Sequence, residues 1–438
     1  MTDTAQAPTN KRVLRLAAPI VLSNATVPLM GAVDVAVVGQ MDAAAPIGAV
    51  GMGAIILSTV YWLFAFLRMG TVGLVGQARG AGDMAEVSAW LTRCLLLAGG
   101  GGLALIALQS LIFSGAFALS PASAEVEDLT RTYLSIRIWT APAAIAVFAL
   151  TGWLVAMERI GAVFWMQLLM NGLNIALSAL FVLQFQWGVA GVAWATVVAD
   201  LVGAGLGLWL ARSAFAHPAW RAWDRVFERA KLVRMAALNS DIMLRSAMIT
   251  TILTSFVFFG AGFGDATLAG NEILLQFVYI TSYAMDGISV SAETLVASAY
   301  GRGERGWVRR ATLLSAGWGL GAAVLFGLFF WLAGPALIDL MAKDAGVREA
   351  ARIYLPWMVF MPLASVGAWI LDGVFVGATR GRDMRNMMAL AFVCFWLSLA
   401  LLMPAYGNHG LWGALIISFF ARGVTLAVRY PALERAAG

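Results

Sequence analysis

Stretches of mainly apolar residues recur from one end of the chain to the other, at 13–38, 45–75, 91–117, 133–156, 160–183, 188–212, 235–260, 268–298, 311–340, 353–377, 384–405 and 408–428. Most of the charged residues gather in the short gaps between them. Each stretch is long enough to cross a hydrocarbon core of ~30 Å as a helix rising ~1.5 Å per residue. Lipid offers no partner to an open sheet edge, so the pattern predicts helices throughout. The expected fold class is all-α integral membrane, with twelve transmembrane helices. The first stretch runs on past Pro19 and Asp34 without a small-residue cleavage site, and so reads as the first helix rather than a removable signal peptide.

The pattern repeats. LVGQARGAGD, from Leu74, lies over LVASAYGRGE, from Leu295, 221 positions later. The same shift carries Tyr133 onto Tyr354, Gly152 onto Gly373 and Arg159 onto Arg380, while Gly188 and Gly191 fall on Gly407 and Gly410 at a shift of 219. Two six-helix bundles are implied. Six is even, so the second enters the membrane in the same sense as the first, and the two are related by a pseudo-twofold along the membrane normal. The expected organisation is an N-terminal lobe over 1–212, a cytoplasmic linker over 213–234 and a C-terminal lobe over 235–438. In the linker, Trp220, Trp223 and Phe227 are spaced i, i+3 and i+7 among arginines, which suits an amphipathic helix at the cytoplasmic surface, the alternative being a solvated linker with some aromatics.

Composition agrees with a membrane location. Of 438 residues 61% are hydrophobic and 12% charged, with a mean hydropathy of +0.83, far from a soluble domain. With the N-terminus inside, 22 of the 29 basic residues fall on the cytoplasmic side, Arg93 and Arg422 among them. Five fall outside (Arg131, Arg137, Lys343, Arg348 and Arg352), and Arg68 and Arg245 lie within helices. This asymmetry predicts cytoplasmic termini and an inner-membrane location. The net charge of +5 is then an orientation signal, not a nucleic-acid footprint. Cys94 and Cys394 sit far apart in apolar stretches, and two histidines are too few to argue a metal site or cofactor. No phosphate-binding G-x-x-x-x-G-K-[ST] loop is present and no gap holds a soluble domain, so uphill movement would need an ion gradient. Paired acids or histidines on substantial loops, as a membrane-embedded enzyme would need, are missing too.

Charge inside a membrane helix costs about 2.5–3.5 kcal/mol even on the lenient insertion scale, and is seldom without purpose. The candidates are Asp34, Arg68, Asp200, Asp241, Arg245, Asp286, Glu293 and Asp372. Asp34, in GAVDVAVVGQ, has no basic residue from Asn24 to Gln40, and an acid without a counter-charge in an apolar setting takes up a proton more readily. Asp241 and Arg245, one turn apart, predict a neutralising pair. Asn171, Asn174 and Ser178 share a stripe, and Thr196 and Asp200 are one turn apart, so amides and hydroxyls are available to cage a protonated or Na⁺-bound acid or to hold helices together. Pro19 permits a bend in the first helix. The 20 Met, 17 Trp and 24 Phe offer apolar walls for greasy ligands, or simply face lipid.

Pro19 and Asp34, TVGLVGQARGAGD, NIALSALFVLQFQWGVAGVAWAT, LLQFVYITSYAMDGISVSAETLVASAYGRGE and LDGVFVGATRGRDMRNMM together resemble the MATE (multidrug and toxic compound extrusion) family, and within it the DinF branch. The resemblance spans all twelve stretches. It implies a V-shaped pair of bundles, without cofactor, exporting small cationic or amphipathic organic compounds in exchange for H⁺, with Na⁺ the alternative ion. By the same resemblance Asp34 matches the acid that takes the proton or cation, and Asn174 and Thr196 match its polar partners. Relatives often carry a second acid where Ser178 stands, and that departure favours the proton. The coupling set is thus Asp34, Asn174, Ser178, Thr196 and Asp200; the groups expected to meet substrate are Asp34, Asn171, Asn174, Arg245 and Asp286. A monomer within the bilayer is the expected functional unit. The alternative is a flippase for lipid or polyprenyl-linked oligosaccharide, whose mark would be a cluster of cations lining the central cavity for a phosphate headgroup, with only Arg68 and Arg245 as candidates.

Overall fold

The structure, a computed structural model, describes residues 7–38, 45–119 and 123–438, except the side chains of 25–36 and 38 within the first helix and of 119. The long elements are α1 (Asn10–Val38), α2 (Ala45–Trp62), α3 (Phe66–Gly80), α4 (Met84–Ala107), α5 (Gln109–Leu119), α6 (Ala124–Arg137), α7 (Ala141–Ala156), α8 (Ile160–Ala179) and α9 (Gly188–Leu210). Short helices α10 (Arg212–Phe215) and α11 (Trp223–Val226) lead to α12 (Arg229–Gly260), α13 (Asp265–Gly301), α14 (Arg305–Met341), α15 (Ala345–Gly377), α16 (Gly381–Tyr406) and α17 (Asn408–Arg435). Among the described residues eleven spans are long and apolar enough to cross a membrane, with α2–α3 and α6–α7 each joined into one; α1 adds a twelfth helix of 29 residues. Three stretches are interrupted: a turn at 63–65 separates α2 from α3, Leu108 separates α4 from α5, and a 3-10 turn at Ile138–Thr140 separates α6 from α7. α1 is helical through Pro19, which is half-buried.

The repeat is written into the backbone. Positive φ angles occur at Gly82 (77°) and Gly303 (71°), at Glu158 (57°) and Thr379 (53°), and at Gly188 (56°) and Gly407 (57°), at the shifts found in the sequence. A Cβ added to Gly152 would lie 2.5 Å from the carbonyl oxygen of Arg68, and one added to Gly373 would lie 2.3 Å from that of Ser289. Arg68 and Ser289 are themselves 221 positions apart. In each half, then, the backbones of α3 and α7, or of α13 and α15, touch where only glycine fits. Lipid tails are as apolar as leucine, so membrane helices gain from such close approach more than from hydrophobic burial.

The chain divides into two compact units, Leu22–Val233, and Met1–Val21 with Arg234–Gly438. The expected boundaries differ: residues up to Val21 group with the second-half helices, and the linker groups with the first-half ones. In the second unit Phe256 packs edge-on to Trp412 at 4.8 Å and Phe277 stacks on Phe330 at 4.9 Å. Asn271 and Asn408 exchange hydrogen bonds of 2.8 and 2.9 Å, tying α13 to α17.

The linker does not form the expected amphipathic helix. It is a chain of single turns, because α4 captures carbonyls that a helix would use internally. Ser88 Oγ donates to the Ala214 carbonyl at 2.6 Å, Thr92 Oγ1 to that of Trp220 at 2.9 Å and Arg93 Nε to that of Val226 at 2.8 Å. Arg93, expected in a cytoplasmic loop, is buried and paired with Glu86 at 2.7 Å. Trp223 and Phe227 stack at 5.8 Å with both rings exposed.

Candidate functional site

In the first unit α8 and α9 lie side by side. Asn174 is fully buried, and its Nδ2 donates to Thr196 Oγ1 at 2.9 Å; Thr196 Oγ1 donates in turn to the Val192 carbonyl one turn back, at 3.1 Å. Asn174 Oδ1 is buried and receives no hydrogen bond among the described residues. A buried amide oxygen without a donor costs about 1–3 kcal/mol, so this acceptor stands ready for a hydroxyl proton or a cation. Ser178, one turn further on α8, is fully buried, and Asn171 is half-buried. Asp34 sits on α1, but its side chain lies outside the described residues.

Asp200 does not join this group. Its Oδ2 is held by Arg137 Nη2 at 3.4 Å and by Thr140 Oγ1 at 3.2 Å, while Arg137 Nη1 also reaches Tyr133 Oη at 2.9 Å. Arg137, expected outside the membrane, is thus a partly buried counter-ion from α6. Asp200 is thus paired with Arg137 and Thr140 rather than with Asn174 or Thr196.

The second unit has its own ionic group. Asp372 on α15 accepts from Arg245 on α12 and from Arg422 on α17, with Arg422 Nε also 3.3 Å from Asp372 Oδ1. All three residues are buried, between 5% and 8% exposed. Arg422 was expected among the loop cations and Asp241 beside Arg245. Instead Arg422 is inside, and Asp241 pairs with Arg385 of α16 at 2.7 Å. The i, i+4 spacing failed because Arg245 lies on the buried face while Asp241 reaches a neighbouring helix. For Arg422 a signal did exist: LIISFFARGVTLAV surrounds it with apolar residues on both sides. Arg245, expected at substrate, is committed to Asp372; Asp286 on α13 is half-buried and Glu293 fully buried.

Neither ionic group follows from the repeat. Arg245, Asp372 and Arg422 fall on Asn24, Thr151 and Gly203 of the first half, and Thr196 falls on Leu415 of the second. Each half therefore carries a polar interior of its own. No three His, Cys, Asp or Glu side chains come together as a metal site among the described residues. Cys94 and Cys394 are both free.

A family model described as MatE matches residues 19–180 and 242–402, which is most of the chain. The chain belongs to the MATE family. It is similar to the DNA damage-inducible protein F of Escherichia coli, with 36% identity over 95% of this chain and 91% of that one. It is also similar to a probable multidrug resistance protein NorM of Pseudomonas syringae, with 28% identity over 95% of this chain and 94% of that one. The fold matches that of the Vibrio cholerae MATE transporter VcmN in its bent form with a TM-score of 0.89 at 18% identity, covering 98% of this chain and 97% of that one. A MOP superfamily transporter from Pyrococcus furiosus gives a TM-score of 0.83 at 16% identity, again over 98% and 97% of the two chains. This MATE chain is thus a multi-pass membrane transporter with a general efflux role, and not an enzyme. Its DinF character, expected from the α13 and α15 segments, agrees with the 36% identity to the Escherichia coli protein.

Proposed function

We propose that this MATE transporter exports small cationic or amphipathic organic compounds in exchange for protons, with Asp34 as the group that gains and loses the proton. The observation that carries the reading is Asn174 Oδ1, a buried acceptor without a donor beside Thr196. A carboxylic acid that has taken a proton supplies such a donor; a carboxylate does not. Asp34, in the same unit and with no basic residue from Asn24 to Gln40, is the acid assigned to it. Asp200 is spent on Arg137, so this reading leaves one carboxylate for the exchange, which favours H⁺ over Na⁺. The flippase reading calls for a cluster of cations lining the central cavity, and of its two candidates, Arg68 and Arg245, Arg245 binds Asp372.

In the cycle, a proton from outside neutralises Asp34, α1 changes its bend at Pro19, the first-unit cavity contracts and substrate leaves; reclosure to the cytoplasm releases the proton. One proton crossing ~150 mV supplies about 3.5 kcal/mol and a favourable pH step of one unit adds about 1.4. A total near 5 kcal/mol sustains a gradient of roughly a few thousandfold for a neutral compound. Both termini face the cytoplasm of the inner membrane, and one chain is the working unit. The test is efflux of a fluorescent cation from proteoliposomes under an imposed pH gradient or an imposed Na⁺ gradient. Only the pH gradient should drive it, and Asp34→Asn should abolish it without loss of folded protein. Undiminished pH-driven transport by Asp34→Asn removes the acid from the mechanism.

A further inference from the structure

A cleft of about 340 Å³ opens in the second unit where α12 begins and α15 gives way to α16. Its walls carry three arginines, Arg234, Arg380 and Arg382, and two acids, Asp241 and Asp383. Each acid already has a cation from outside the cleft lining, Asp241 from Arg385 at 2.7 Å and Asp383 from Arg429 at 4.0 Å. Arg380 reaches only the hydroxyl of Tyr300, at 3.4 Å, and Arg382 is exposed with no ion pair among the described residues. Gly381 sits between them. A Cβ there would lie 3.0 Å from both Asp241 Cβ and Leu238 Cδ1, so glycine lets the start of α16 rest against α12 and form the cleft floor.

The repeat provides an internal control. The positions equivalent to Tyr300, Thr379 and Arg380 are Arg79, Glu158 and Arg159. There the charges are satisfied within the protein: Arg79 binds Glu158 at 3.1 Å and the Ala156 carbonyl at 3.0 Å, and Arg159 binds the Leu210 carbonyl. In the second half the acid has become Thr379, and Arg382 stands where the first half has Gly161. One half has closed its charges upon itself, whereas the other presents guanidinium groups to an open cleft.

We propose that this cleft binds the phosphate of an anionic phospholipid headgroup. Guanidinium is suited to bidentate contact with phosphate oxygens, and basic pockets between membrane helices at the arginine-rich side attract such headgroups. The lipid source is favoured over a free phosphate because exposed apolar side chains continue from the cleft walls along both helices, Met243 and Leu244 on α12 and Leu390 and Val393 on α16, and offer a track for acyl chains.

The test is calorimetric titration of the full-length protein in detergent with dihexanoyl phosphatidylglycerol, dihexanoyl phosphatidylcholine and inorganic phosphate. The glycerol lipid should bind at least tenfold more tightly than the choline lipid. Arg382→Gln should weaken it about fivefold, and Arg380→Gln combined with Arg382→Gln more than tenfold. Because Arg382 is exposed and makes no ion pair among the described residues, its single variant should melt like the unaltered protein and keeps the test decisive should the double variant fold poorly. Equal binding of the two lipids, or an unchanged affinity in Arg382→Gln, overturns the proposal. Inorganic phosphate binding as tightly as the glycerol lipid overturns the assignment to a headgroup.

Discussion

Asn174 on α8 and Thr196 on α9 share a buried hydrogen bond of 2.9 Å, and the other end of the same amide, Oδ1, meets no donor among the described residues. One half of the side chain fixes the helix pair and the other half is left for a visitor. Asn174→Ala removes both. Thr196 Oγ1 keeps its bond to the Val192 carbonyl, so the loss of stability should be about 1 kcal/mol. Efflux driven by a pH gradient should fall at least tenfold in proteoliposomes, whereas a purely structural amide would leave the rate per folded molecule unchanged.

Asp200 and Asp34 should behave differently when neutralised. Asp200→Asn loses a charge-assisted contact to Arg137 and should lower stability by roughly 1.5–3 kcal/mol. The pH dependence of transport should keep its shape, since Asp200 carries its counter-ion throughout. A displaced midpoint in Asp200→Asn would place this acid in the proton path after all.

Asp372→Asn leaves two buried guanidinium groups facing a neutral amide, and breaking a buried ionic group in this way costs about 3–5 kcal/mol. Thermal unfolding in detergent should drop sharply. Adding Arg422→Met to Asp372→Asn removes one of the stranded charges and should recover at least half of the loss. If the double variant is no more stable than the single one, the interaction is not the electrostatic brace described above.

Gly152→Ala and Gly373→Ala each place a methyl group within 2.5 Å of a backbone oxygen on the neighbouring helix. Overpacking against backbone cannot be relieved by a rotamer change, so each should destabilise by at least about 1–3 kcal/mol. Gly172→Ala, on α8 with no atom within 4 Å of the new Cβ, is the control and should be neutral or slightly stabilising. The melting temperatures of the three variants decide it.

The apolar stretches and the 221-residue shift were enough to specify helices and the twofold repeat, because the bilayer demands helices of a set length and a duplicated backbone keeps its turns; the family was legible only through the resemblance of the quoted motifs. Glu158 and Thr379 show how deep that goes: unlike side chains hold the same positive φ. What the chain alone did not reveal is which charge meets which. Asp241 and Arg245 looked like a pair by spacing, yet each found its partner on another helix more than 120 positions away, Asp241 with Arg385 and Arg245 with Asp372. Arg422 looked like a loop cation and lies inside. Periodicity reports the face of a single helix, whereas an ion pair in a low-dielectric interior is settled by which faces the packed bundle turns toward each other, and only the tertiary structure decides that.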